Sequence, residues 1–144
     1  MTRKLLLGMT LALATASSVQ AQEFNMIETR QAGQDLLSAN YAGIRAVVAA
    51  KGDVTKLEDP AKALARWMKQ FPTTFPAGSD KGPTKALPTV WSDPTGFHKA
   101  ADNLVATAEK LAQLAKAGDA EAVAALVKVV GDACSACHRT YRQR

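Results

Sequence analysis

The chain has 144 residues, 47% of them hydrophobic, with 18 basic and 13 acidic side chains, two histidines and two cysteines. That length carries one domain with one sizeable core. The formal charge of +5 is scattered rather than striped, which argues against a nucleic-acid-binding face.

The first residues predict export. A short basic start with Arg3 and Lys4 precedes the apolar run LLLGMTLALATASS, and Val19 and Ala21 stand where a signal peptidase requires small residues. Residues 1–21 read as a signal peptide cleaved after Ala21, and residues 22–144 as the mature domain. A membrane-spanning helix needs about 20 apolar residues, so no stable membrane anchor is expected. Loss of Arg3 and Lys4 leaves a formal charge of roughly +3.

Four helices follow, and the chain is expected to be all-α. The first runs from about Asn25 to Ala50. Ile27, Arg30, Gln34, Leu37, Tyr41, Ile44 and Val48 recur at intervals of three and four and form one seam. Arg30 and Gln34 are polar members of that otherwise apolar seam. Lys51-Gly52 ends the helix, with Gly52 expected as the C-terminal stop. Asp59-Pro60 is the expected start of the second helix, Leu64, Trp67, Met68 and Phe71 its inner face, and Pro72 its end.

A long loop comes next, PTTFPAGSDKGPTKALPTVW, with too many prolines and glycines for a regular helix or a central strand. A loop of that length in a compact domain covers something or moves. The third helix opens at Ser92-Asp93-Pro94 and buries Phe97, Ala101, Leu104, Ala108 and Leu111 before Gly118 closes it. Asp119 caps the fourth, whose seam is Val123, Leu126, Val130, Cys134, Cys137 and Tyr141. The simplest assembly is an antiparallel four-helix bundle with a long loop between helices 2 and 3.

Both cysteines lie in the segment CSACHRTYR, followed at once by His138. Two thiols three apart on a helix point the same way, matching two vinyl groups on one porphyrin edge, and the next imidazole then reaches the iron. This C-x-x-C-H pattern favours haem c, attached through Cys134 and Cys137, with His138 bonding the iron. Two rivals fit less well. A thioredoxin-type pair opens a helix after a strand, and structural zinc takes four ligands. His98, the other histidine, reads as a surface residue.

At this point the chain resembles the class II c-type cytochromes, the cytochrome c-prime family. TRQAGQDLL is similar to that family's first-helix Arg-Gln motif, VWSDPTGF to the start of its third helix, and CSACHRTYR to its haem-binding end. The resemblance covers essentially the whole mature chain. It implies a periplasmic protein with one covalent haem c, Arg30 and Gln31 near the haem propionates, and Arg142 near the proximal side. It also implies a homodimer through helices 1 and 2. The motifs specify no redox partner.

The family has a branch with methionine as sixth iron ligand, which carries electrons, and a five-coordinate branch, which binds nitric oxide or carbon monoxide. The distal residue stands four after the first-helix arginine, which is Gln34 here. The seam independently places Gln34 inside. A register counted from Lys51-Gly52 would instead put Leu36 there, and neither gives methionine. Met26 lies about 12 Å along the helix from Gln34, and Met68 reads as core. Electron transfer is the expected function, with gas binding as the alternative. No histidine is placed as a distal acid–base group, so no enzymatic activity is expected.

Overall fold

The computed structural model describes residues 25–143, so the predicted signal segment lies outside the described residues. Four long helices form the bundle: α1 (Met26–Ala49), α2 (Glu58–Gln70), α4 (Pro94–Lys116) and α5 (Ala120–Tyr141). Single turns of 3-10 helix, Val54–Leu57 and Phe71–Thr74, flank α2, and a short α3 (Thr89–Ser92) precedes α4. No strand occurs among the described residues, and the one β-bridge joins Ala86 to Arg142.

Local chemistry sets the helix boundaries. Asn25 caps α1, its Oδ1 accepting from the Ile27 and Glu28 amides at 3.1 and 3.3 Å. Asp93 caps α4 through the Gly96 amide at 3.0 Å, with Pro94 in the first turn as expected. Asp119 caps α5.

Three expectations are corrected. Asp59 is not a cap. The side-chain cap lies earlier, at Asp53, which accepts from the Thr55 amide and starts the 3-10 turn that runs directly into α2. The left-handed residue ending α1 is Lys51 (φ 51°) rather than Gly52, because the helix unwinds one residue early and the Gly52 amide closes onto the Val47 carbonyl at 2.9 Å. The long loop contains the Phe71–Thr74 turn and α3, so Phe71 lies just beyond α2.

The core is built mainly where α2, α4 and α5 meet. Leu64, Leu111, Val123 and Val130 are almost fully buried there, and Ala61, Ala108 and Ala115 let the backbones approach closely. α1 contacts α2 and the two 3-10 turns that flank α2, but its contact with α5 is thin. The two helices are bolted at one level, where the Tyr41 hydroxyl donates to the Val127 carbonyl at 2.8 Å and sits against Gly131. Elsewhere along that seam they splay. Gln34, Leu37 and Tyr41 therefore remain only partly buried, although the heptad pattern points them inward. On the other side of α1, Gly33 accommodates the Trp67 ring so closely that no Cβ would fit. Trp67 thus seals α1 against α2 rather than filling the bundle centre.

Candidate functional site

The splay opens a cavity of about 960 Å³ between α1, α2, the loop and α5, at the upper end of the roughly 300–1,000 Å³ typical of cofactor sites. α5 brings Cys134, Cys137 and His138 to one wall, and α1 brings Arg30, Gln31 and Gln34 to another. Phe71, Phe75 and Phe97 make an aromatic wall, with edge-to-face contacts at 5.0 Å between Phe71 and Phe75 and between Phe75 and Phe97. The structure thus brings together every residue that the sequence marked as a site candidate. Leu36, the alternative distal residue, is 74% exposed and does not line the cavity. Met26 does not line it either, whereas Met68, buried in the core, also reaches its wall. His98 is exposed, as expected.

Both cysteines are free and half-buried, Cys134 against the main core and Cys137 against a second cluster of Val90, Phe97 and Tyr141. Burial pushes both thiols above the usual cysteine value, and for Cys137 the neighbouring Cys134 adds to it. A redox-active pair instead needs a lowered pKa to supply thiolate, so the environment opposes the thioredoxin-type reading. Burial, and then the Arg142 charge, lowers the His138 pKa. That direction favours the neutral imidazole, the form that can ligate a metal. Among the described residues no cluster of three His, Cys, Asp or Glu side chains has metal-binding geometry.

The end of α5 is fixed on several sides. The Tyr141 hydroxyl donates to Asp93 Oδ2 at 2.9 Å, the Leu87 amide donates to the Tyr141 carbonyl at 3.0 Å, and the Gln143 amide donates to the Lys85 carbonyl at 2.8 Å. The loop between Phe75 and Pro88 thus becomes a strap along the cavity edge.

Arg30 and Gln31 clamp this strap from the other side. Arg30 is 4% exposed. Its Nη1 donates to the Thr74 carbonyl and Ser79 Oγ, and its Nη2 to the Ser79 carbonyl and Thr84 Oγ1, at 2.7–3.2 Å. The guanidinium lies 4.5 Å from the Phe75 ring centroid. Gln31 Nε2 donates to the Pro83 carbonyl at 2.7 Å. Sequence reasoning marked the loop as a cover but missed the strap residues Gly82 to Ala86 as cavity wall. Gly82 was the available signal, because its φ of 122° suits only glycine.

Haem fits these residues on three counts. The cavity has the size, and a thiol pair with an adjacent imidazole stands on its wall. Its lining also carries Arg30, Arg45, Lys85 and Arg142 against the single carboxylate of Asp35, an excess suited to an anionic group. Arg30 has no carboxylate partner among the described residues, where the ion pairs all involve Glu58. A buried cation of this kind calls for a counter-charge.

The sequence profile of the cytochrome C' family matches residues 25–142. The chain belongs to that family. As a member of the cytochrome c-prime family it is a haem protein. It is 35% identical over 121 residues to cytochrome c' of Rubrivivax gelatinosus, covering 82% of this chain and 94% of that one. A solved cytochrome c' described by an unusual ligand-controlled dimer dissociation superposes with a TM-score of 0.77 at 31% identity, over 83% of this chain and 95% of that one. A nitric oxide complex of a variant cytochrome c prime from Alcaligenes xylosoxidans superposes with a TM-score of 0.75 at 25% identity, over 83% and 94%. The described residues contain no helix long and apolar enough to cross a membrane.

Proposed function

We propose that this chain is an exported, periplasmic cytochrome with one haem c, bound through thioethers from Cys134 and Cys137 and ligated by His138, that transfers electrons. The observation that carries the reading is the C-x-x-C-H segment, its two thiols and its imidazole standing together on the wall of the large cavity described. When bound, the haem supplies a one-electron couple. The chain does the rest. Phe71, Phe75, Phe97 and Leu104 exclude water from the pocket, which limits solvent reorganisation. Arg30 and Gln31 stand on the propionate side, where Arg30 acts mainly through its charge because the strap takes four of its five donors, and Arg142 stands near the proximal side. No residue is assigned a catalytic role.

A second reading is that the sixth position is open and takes nitric oxide or carbon monoxide. One observation favours it: Gln34, four residues after Arg30, lines the cavity from α1, and no α1 methionine does. The nitric oxide complex of the Alcaligenes relative supports it. A visible spectrum separates the two. Broad high-spin bands in both oxidation states are expected from an open site, whereas sharp low-spin bands would show a strong sixth ligand and leave electron transfer alone.

The same reading includes a homodimer through α1 and α2. α1 turns Ala32, Leu36, Ala39, Gly43 and Ala46 outward, and Leu36 is 74% exposed. The relative with ligand-controlled dimer dissociation supports this assembly. Leu36→Glu is expected to shift the haem-loaded protein from dimer to monomer in sedimentation velocity, with its spectrum unchanged. A variant that sediments like the wild type would place the interface elsewhere.

A further inference from the structure

His138 stands exposed at the cavity wall, and among the described residues its ring makes no hydrogen bond. A metal-bound imidazole is ordinarily oriented by a partner on its second ring nitrogen. Here the orientation has to come from the backbone that carries the ring. On one side of His138 stand Cys134 and Cys137. On the other is the last turn of α5, and that turn is held from outside the helix. The Thr89 hydroxyl donates to the Thr140 carbonyl at 2.7 Å, and the Leu87 amide donates to the Tyr141 carbonyl at 3.0 Å. Both carbonyls belong to the set that a helix end leaves without partners.

One side-chain tie is more specific. Tyr141, three residues after His138, is 8% exposed and packs its ring 5.2 Å from that of Phe97. Its hydroxyl donates to Asp93 Oδ2 at 2.9 Å, while Asp93 Oδ1 accepts from the Gly96 amide at 3.0 Å. One carboxylate thus joins the first turn of α4 to the last turn of α5. Gly96 makes room for it. A Cβ there would stand 2.5 Å from the Tyr141 hydroxyl and would also strike Asp93 Oδ2. Glycine is a poor helix former, and this close approach accounts for its place in α4.

We infer that Asp93, acting through Tyr141, is a positioning residue for His138: it fixes the last turn of α5 and with it the angle at which the imidazole meets the iron. This rests on the reading that His138 ligates the haem iron. A well-aligned imidazole donates electron density to the metal and favours its oxidised state, and partners beyond the ligand tune that donation. A freed turn lets the ring tilt, weakens the donation and raises the reduction potential. Loss of one ordinary hydrogen bond corresponds to roughly a fivefold change in an equilibrium ratio.

The test uses the haem-loaded full chain with Tyr141→Phe, which keeps the ring and drops the hydroxyl, and Asp93→Ser, which keeps a cap for α4 but is too short to reach Tyr141. At the poise where the wild type is half reduced, each variant is expected to raise the ratio of reduced to oxidised protein about fivefold. The double variant should go no further than either single one, because both remove the same tie. Asp93→Asn is expected to restore most of the wild-type ratio, since its amide can donate to the Tyr141 oxygen. Should Asp93→Ser fail to load haem, Gly96→Ala replaces it, because its Cβ displaces the hydroxyl. If the variants lower the urea midpoint while the ratio holds or falls, the tie is only structural, and the inference falls while His138 stands as the ligand. If the two single effects add in the double variant, they are independent, and the inference falls again. If His138→Ala keeps the wild-type visible spectrum, His138 is not the ligand, and the reading and the inference fall together.

Discussion

Arg30→Ala is expected to destabilise the haem-loaded protein by about 3 kcal/mol, seen as a lower urea midpoint with little change in slope. The variant removes four donated hydrogen bonds, to the Thr74 and Ser79 carbonyls and the Ser79 and Thr84 hydroxyls, and of these acceptors Thr84 Oγ1 keeps the Ala86 amide. The strap then hangs from Gln31, the end of α5 and the Trp91 indole, which donates to the Phe75 and Pro76 carbonyls, so residues 77–85 should become the first site of proteolysis. Arg30→Lys is expected to recover only part of the loss. An ammonium offers three donors and no planar fork, so it cannot reach both the Ser79 and the Thr84 acceptors from one position. A midpoint shift corresponding to less than about 1 kcal/mol would mean that the strap is held chiefly by the Ala86–Arg142 bridge.

The largest effect is expected from Cys134→Ser combined with Cys137→Ser. Acidified organic solvent should strip the haem completely from that variant and leave it on the wild type. The chain without haem should also lose its cooperative unfolding transition. Leu37, Tyr41, Phe71 and Phe75 line the cavity and are only partly buried by the protein itself, and each large apolar side chain contributes roughly 1.5–3 kcal/mol when fully buried. Wetting several of them rivals the whole net stability of a domain, about 5–15 kcal/mol. The thin contact between α1 and α5 offers little to compensate. α1 is therefore expected to detach first, and haem-free chain should be protease-sensitive. A native-like, cooperative urea transition in the haem-free variant would show that the bundle does not need the group as part of its core.

How much of this was legible in the sequence depends on the range of the interactions. The bundle was legible because heptad spacing and caps are local: Asp93 and Asp119 cap as their positions suggest. The two polar members of the α1 seam were visible as anomalies for the same reason. Their roles were less so. Arg30 bonds to groups 44 to 54 residues away, two of them backbone carbonyls in an irregular loop, and no periodicity encodes such partners. The start of α2 was misplaced because an Asp-Pro pair resembles a cap, while the actual cap, Asp53, leads a 3-10 turn that merges into the helix. Lys51 replaces the expected glycine at the left-handed position, since the hydrogen bond to Val47, rather than residue type, decides where α1 unwinds. The choice between Gln34 and Leu36 needed the structure, because a two-residue change of register turns a side chain from the cavity to solvent.

The central claim is that haem is part of the covalent structure, held at Cys134 and Cys137. Mass spectrometry of the exported protein, denatured in acid before injection, tests it most directly. A single species with the mass of residues 22–144 plus one haem is expected, with no thiol left to alkylate. A mass equal to the bare chain, with two alkylatable thiols and haem released into the solvent, would contradict it.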